Sequence, residues 1–325
     1  MSFRARCRQT DMTVAELQDE RAFAAVVERH RGELHVHCYR MLGSYEEAED
    51  LTQETFLRAW RRRETYAGRA SLRAWLYRIA TNACLDAIAR RARTLAAAPH
   101  YEVTWLEPYP DALLDATPGP DDELISKETV ELAYLVAIQH MTPQSRAVLI
   151  LRDVVGLPAK ETAEQLELSV PAVNSALQRA RAVLAEQLPA ERAEWAPGAE
   201  PEEQEKALLD RYMQATEDAD IEALKATLAE ELRFAMPPEP EAYVGRDVIV
   251  GAWVKGGFGT EDFRIRCALT YVNRQPAVAN YVLRDGTWRA FALDVLRFAD
   301  GKVDEIVTFP LEAMAARYGL PEVLA

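Results

Sequence analysis

DLTQETFLRAWRRRETYAGRASLRAWLYRIATNACLDAIARRAR, residues 50–93, decides how the chain is read. It divides into two amphipathic helices joined by a polar loop, residues 64–70. On the first helix Leu51, Phe56, Ala59 and Trp60 share one side, while Asp50, Gln53 and Glu54 fall at i, i+3 and i+4 on another. The result is an acidic, amide-bearing edge on a packed helix. Arg58, Arg61, Arg62 and Arg63 then reverse the charge within two turns. Ser71 is placed to cap the second helix. There Leu72, Trp75, Leu76, Ile79, Ala80, Ala83 and Ala87 make an apolar stripe, with Arg73, Arg78, Asn82, Arg90, Arg91 and Arg93 outside it. One helix is suited to meet a protein and the other nucleic acid.

The pattern D-L-x-Q-E-x-F, then W, a loop, and L-R-x-W-L-x-R-I-A-x-N-x-x-x-D resembles the second domain (σ2) of bacterial extracytoplasmic-function sigma factors. The resemblance runs without a gap from about Phe23 to Arg93. It implies that Asp50, Gln53 and Glu54 meet the clamp helices of RNA polymerase core. It also implies that the loop and second helix melt and read the promoter minus-ten element, through Tyr66, Arg69, Ser71, Arg73, Arg78, Asn82, Arg90 and Arg91.

At 325 residues the chain is long enough for two or three domains. The net charge of −14 argues against a basic coat, but the charge is uneven. Residues 21–93 carry 14 Lys and Arg against 9 Asp and Glu; residues 94–122 carry 0 against 6, and residues 190–325 carry 15 against 25. Local excess governs phosphate contact, because attraction is screened beyond about 10 Å at ordinary salt. The four cysteines form no CxxC pair, and no apolar run reaches membrane-spanning length. A reducing cytoplasm is expected, with no membrane partner. His35 and Cys38 share a helical face but have no partner pair elsewhere, so σ2 packing is favoured over a metal, and no cofactor is expected.

Residues 1–13 read as an arm, with a helix starting near Thr13 and a further helix over residues 31–42 ending at Gly43. The σ2 domain is taken as 14–93. Residues 94–122 hold five prolines and no Lys or Arg, the marks of a linker. Yet Trp105, Leu106 and Tyr109 are too apolar for a plain spacer, and the segment is expected to dock. From residue 124 helices return, with Thr142-Pro143 as a cap and first-turn pair. Residues 159–166, the turn 167–169 and residues 170–188 give a helix-turn-helix. This stretch, 123–189, resembles the fourth sigma domain (σ4), which reads the minus-thirty-five element and is expected to meet the polymerase flap. Ser169, Pro171, Asn174, Ser175, Gln178, Arg179 and Arg181 are its candidate DNA contacts; amides such as Asn174 and Gln178 suit adenine.

After a second linker, 190–201, residues 202–325 run as two helices followed by strand-like segments, with Asp300-Gly301 as a hairpin signal. The ending LDVLRFADGKVDEIVTF resembles the SnoaL-like branch of the cone-shaped NTF2-like fold. The expected architecture is therefore multidomain: two all-α sigma domains, then an α+β cone. Phe234, Met236, Trp253, Tyr271, Tyr281, Trp288, Phe291 and Asp294 are candidates to line a cavity for a small ligand. Asp294 has no histidine in this segment to work beside, so no enzyme is expected. The function implied is promoter recognition and melting, modulated by the C-terminal domain. The alternative is a one-component helix-turn-helix regulator with a ligand domain, which would have no use for the acidic edge and melting helices.

Overall fold

A computed structural model of the chain describes residues 16–68, 70–96, 106–115, 130–188, 203–237, 242–312 and 314–324. They fall into two units: residues 16–96, 113–115 and 130–188 in the first, and 106–112 with 203–324 in the second. The arm and the proposed start near Thr13 lie outside the described residues.

In the first unit α1 runs unbroken from Glu20 to Leu42. The two helices expected here are one, because Asp19 caps it by accepting from the Ala22 amide at 2.9 Å. Gly43, at φ 76°, closes the helix with its amide on the Tyr39 carbonyl, as expected of a left-handed cap. α2 (Tyr45–Arg61) and α3 (Leu72–Ala96) complete the bundle. Ser71 Oγ accepts from the Ala74 amide at 3.1 Å, the expected cap of α3. Leu34, Met41, Ala59, Leu76 and Ala80 are fully enclosed among these helices.

Helix Leu132–Gln139 is followed by Pro143–Leu149, capped by Thr142 with proline in its first turn as the sequence indicates. The latter continues into a π-helical turn, Ile150–Val154. Helix Ala159–Leu166 ends at Glu167, which is left-handed at φ 56°, and Ser169 caps Val170–Gln187. Arg146 holds this group to the bundle. The residue is only 6% exposed, and its guanidinium donates to the carbonyls of Met41, Ile138 and Gln139 and to Gln139 Oε1. Gln139 in turn donates to the Arg40 carbonyl at 3.4 Å, and Gln165 to that of Ala74 at 3.0 Å.

In the second unit, helices Glu203–Glu217 and Ile221–Thr227 precede β1 (Leu228–Ala235) and β2 (Tyr243–Val244). Apolar residues 248–254 lie within helix Arg246–Lys255. A meander follows: β3 (Ile265–Val272), β4 (Gln275–Arg284), β5 (Thr287–Ala299) and β6 (Lys302–Pro310). The sheet order is β2-β1-β6-β5-β4-β3, with β1 parallel to β6, and β7 (Val323–Leu324) on β5. Asp300 and Gly301 sit at φ 49° and 69°, the two left-handed positions that the hairpin signal requires. Leu208, Leu209 and Tyr212 pack from the first helix onto the sheet residues Val278, Leu296 and Ile306.

The candidate cavity residues are divided between the two faces of this sheet. Phe234, Met236, Trp253 and Asp294 are on the helix side: Phe234 meets Trp253 edge-on at 5.4 Å, and Asp294 accepts from Tyr212. Cys267 packs there too, which places Tyr271, four residues along β3, on the same face. Tyr281, paired with Arg266 one position from Cys267, faces the other way. An even spacing would keep Trp288 with Asp294. However, the β4–β5 register shifts between Asn280–Ala292 and Tyr281–Ala290, leaving Phe291 as an extra residue. That bulge turns Trp288 to the far face, under the guanidinium of Arg266 at 4.6 Å. The eight residues do not line one cavity.

The expected linker is also partly structured. Residues Asp111–Asp115 form a helical turn, and Pro110 makes an antiparallel bridge with Val272. The Tyr109 amide donates to Asn273 Oδ1 at 2.8 Å, and the Asn273 amide to the Tyr109 carbonyl at 2.9 Å. Asp111 accepts from the Arg274 amide at 2.8 Å, and Tyr318 donates to the Pro108 carbonyl. Leu106 and Tyr109 are buried; Trp105 lies outside the described residues. Asn273 and Arg274 form a tight turn with φ of 54° and 60°, an unusual conformation for two non-glycine residues, and the docked segment satisfies its amides.

Candidate nucleic-acid interface

The acidic edge forms as α2 is wound. Asp50 and Gln53 are exposed, Gln53 reaches Glu49 at 3.1 Å, and Glu54 holds Arg58 at 2.8 Å. Leu57 is 51% exposed. It stands seven residues from Asp50, four from Gln53 and three from Glu54, so it continues the same stripe. Its spacing from Asp50, Gln53 and Glu54 is the signal in the sequence that marks it; by residue type alone a lone leucine reads as core.

The side chains assigned to minus-ten reading separate into two groups. Arg78 and Asn82, four residues apart on α3, line a pocket of about 460 Å³ with Trp75 and Ile79 of the same helix face. Arg58, Arg62 and Thr65 line it from α2 and the loop after it, and Glu167 from the helix-turn-helix. Of the remaining described candidates, Tyr66, Ser71, Arg73 and Arg91 are engaged within the fold. Tyr66 is turned inward, 3% exposed, with its hydroxyl donating to the Ala70 carbonyl and its ring 5.4 Å from that of Trp75. It braces the loop rather than presenting its face. Arg73 is bound to Glu33 at 2.8 Å, a carboxylate held below its ordinary range by His30 and Arg73 against the opposing effect of burial. Ser71 is the α3 cap, Arg91 meets Glu47 at 3.5 Å, Arg90 is exposed near the end of α3, and Arg69 is outside the described residues.

On the second candidate surface, Pro171, Asn174, Ser175, Gln178 and Arg179 are exposed along one helix, whose cap is Ser169. Val173, Ala176, Leu177 and Ala180 pack inward. Arg181 is engaged by both oxygens of Asp153 at 2.8 Å. Five of the seven assigned residues therefore form an open polar face, and two serve local structure.

In the cone, the Asp294 carboxylate accepts from Thr308 at 2.6 Å, Asn280 at 2.7 Å and Tyr212 at 3.4 Å. Burial pushes its pKa up, and these three donors oppose the shift. Cys267, beside them, is likewise shifted upward by burial. His35 and Cys38 are buried in σ2, and among the described residues no cluster of metal-ligating side chains is present.

Residues 26–94 match the family Sigma-70 region 2, residues 131–184 match Sigma-70, region 4, and residues 209–306 match the SnoaL-like domain. These matches define a sigma-70-type chain with a third, SnoaL-like domain. It is 40% identical to the ECF RNA polymerase sigma factor SigG of Mycobacterium tuberculosis, over 95% of this chain and 87% of that one. It is 31% identical to the ECF RNA polymerase sigma factor SigW of Bacillus subtilis, over 52% of this chain and 90% of that one. In fold it is similar to the crystal structure of Mycobacterium tuberculosis SigJ, an extracytoplasmic function sigma factor, with a TM-score of 0.59 at 22% identity over 92% of this chain and 99% of that one. The chain belongs to the extracytoplasmic-function family of RNA polymerase sigma factors. No helix among the described residues is long and apolar enough to cross a membrane.

Proposed function

We propose that the chain carries RNA polymerase core to a promoter class through the acidic edge of α2, opens the minus-ten element at the α3 pocket, and is controlled by its C-terminal cone. The observation that carries the reading is the pocket itself. Three guanidiniums, an indole, a hydroxyl and an amide converge in a space of about 460 Å³ beside the exposed face of α3. Opening a duplex without ATP requires that an unstacked base be held. An aromatic face contributes about 1–3 kcal/mol for each stacked base, while the arginines attract phosphate. Asn82 and Thr65 supply hydrogen bonds to a base edge. Promoter-dependent initiation by core polymerase with the purified chain tests the reading; initiation unchanged by its addition would overturn it.

The core contact makes its own prediction. Asp50→Ala, Gln53→Ala and Glu54→Ala together, with Leu57→Ala added, reduce affinity for core polymerase at least ~10-fold, since an apolar anchor ringed by polar groups concentrates interface energy. Stability changes by about 0.5 kcal/mol or less per site, because all four lie off the packed face. Full co-purification of the quadruple variant with core would count against this edge.

The cone is read as a control module, not a catalyst. Asp294 has no histidine beside it and spends its lone pairs on three internal donors. A small ligand on the helix face, near Trp253 and Tyr271, is compatible with control. Clasping the segment at Leu106–Asp111 ties the cone to the two stretches of chain that flank it. Leu106→Ala with Tyr109→Ala removes the buried side chains of that segment. Amide exchange at residues 272–274 then rises about 10-fold or more, and transcription shifts in the same direction as it does when the chain ends near residue 197. Equal output from full-length and shortened chains would make the cone a passenger.

A further inference from the structure

We propose that Asp153 is a positioning residue for promoter choice: it braces Arg181 on the helix-turn-helix so that the end of the arginine fork reads one guanine of the minus-thirty-five element. The inference rests on helix Val170–Gln187 being the reader of that element. Pro171, Asn174, Gln178 and Arg181 recur along this helix at i, i+3, i+7 and i+10, a stripe separate from the buried Val173, Leu177 and Ala180. Arg181 therefore continues the line of the two amides suited to adenine.

The ion pair that engages Arg181 leaves part of its fork available. Nε donates to one Asp153 oxygen and Nη2 to the other, both at 2.8 Å, so the carboxylate lies along the side of the guanidinium. The second Nη2–H and both Nη1–H groups remain, and among the described residues they have no protein acceptor. The Arg181 side chain is 60% exposed, that of Asp153 30%. Two parallel N–H bonds at the end of a fork match O6 and N7 of guanine in the major groove. An unbraced arginine can turn instead to phosphate, a contact that carries no sequence information. Asp153 owes its place to the π-helical turn Ile150–Val154, where the Val155 amide donates five residues back to the Ile150 carbonyl at 2.9 Å. The neighbours on that turn have other tasks: Ile150 and Leu151 are fully buried, and Arg152 donates to the Leu157 carbonyl. An ion pair this exposed contributes little to folding, so the effect of the brace is on the direction of Arg181.

The test uses holoenzyme assembled from core polymerase and the full chain, which selects bound duplexes from a pool of about 40 random base pairs; the selected duplexes are sequenced. The parent recovers an upstream motif with a guanine position, and Arg181→Ala loses that preference by about 10-fold or more while the other positions keep theirs. Asp153→Asn, which keeps the size of the side chain and melts close to the parent, loses the same preference at the same position, with total DNA binding changed less than about 3-fold. Asp153→Glu, which retains both oxygens, restores part of it. A merely structural role for the pair would weaken every position alike, and that result would overturn the proposal. If Arg181→Ala erases the guanine preference and Asp153→Asn leaves it whole, Arg181 reads without a brace and the role of Asp153 is wrong. If Asn174→Ala and Gln178→Ala, like Arg181→Ala, leave the upstream motif unchanged, the helix is not the reader and the proposal falls with that reading.

Discussion

Between pH 7 and pH 5 the σ2 bundle loses about 4 kcal/mol of stability, most of it through two histidines of α1. His37 is fully enclosed, and burial brings its pKa down to about 3; His35 is brought down to about 4 by burial, in spite of Glu49 at 3.4 Å. The tautomer of His37 follows from its neighbours. Thr81 donates its hydroxyl proton to the Tyr77 carbonyl at 2.7 Å, so it accepts from His37 Nε2–H at 2.9 Å, and Nδ1 is left buried and unprotonated. Protonation would bury a charge near Arg40 and Arg73 with no acceptor for the new N–H. An unfolded histidine takes up its proton near pH 6.5, while these two decline it until about 4 and 3. Within that window the unfolded chain binds more protons, so stability is full above about pH 6.5 and falls by about 1.4 kcal/mol per unit per histidine on acidification. Urea midpoints followed by amide exchange along Glu20–Leu42 would show it. His37→Phe should halve the slope; a midpoint flat from pH 7 to 5 would refute the assignment.

Arg146→Met costs about 3–5 kcal/mol, because the cation is solvated by carbonyls that lose their donor when it goes. The methionine preserves much of the packing of the stem, so the loss reports the fork. Burial lowers the Arg146 pKa to about 10, which still leaves it charged at neutral pH. A melting temperature roughly 10 °C lower is the expected reading for a unit of this size. Arg146→Lys should recover only part, since one ammonium cannot reach the Met41, Ile138 and Gln139 carbonyls together. A lysine variant as stable as the parent would show that charge alone suffices.

Arg146 also marks where sequence reading stops. The second and third helices of σ2, the end of its first, the helix-turn-helix and the meander are legible from caps, periodicity and turn pairs: Ser71, Gly43, Thr142-Pro143 and Asp300-Gly301 all do what their residue types require. A buried arginine was not legible. Its partners are mostly backbone carbonyls at helix ends, which no residue letter encodes. The family resemblance implies DNA contacts for Tyr66 and Arg73, and helix position implies one for Arg181, yet contacts with Ala70, Glu33 and Asp153 engage these three side chains. Arg78 and Asn82, read as minus-ten contacts outside the apolar stripe, share a pocket with Trp75, whose spacing alone puts it in that stripe. The Phe291 bulge, one extra residue in a strand, undid a cavity inferred from aromatic content.

The clasp on Tyr109 has a consequence for the order in which the molecule is made. Tyr109 and Asn273 are 164 residues apart, and all of the helix-turn-helix lies between them. A ribosome delivers Leu106 and Tyr109 long before the strand end that receives them exists, so during synthesis this segment waits with its apolar side chains uncovered. Its burial must be among the final steps of maturation, after the intervening helix-turn-helix has been synthesised. A message cut short before β4 would yield a chain with both sigma domains but an open clasp, distinguishable by proteolysis from the finished protein.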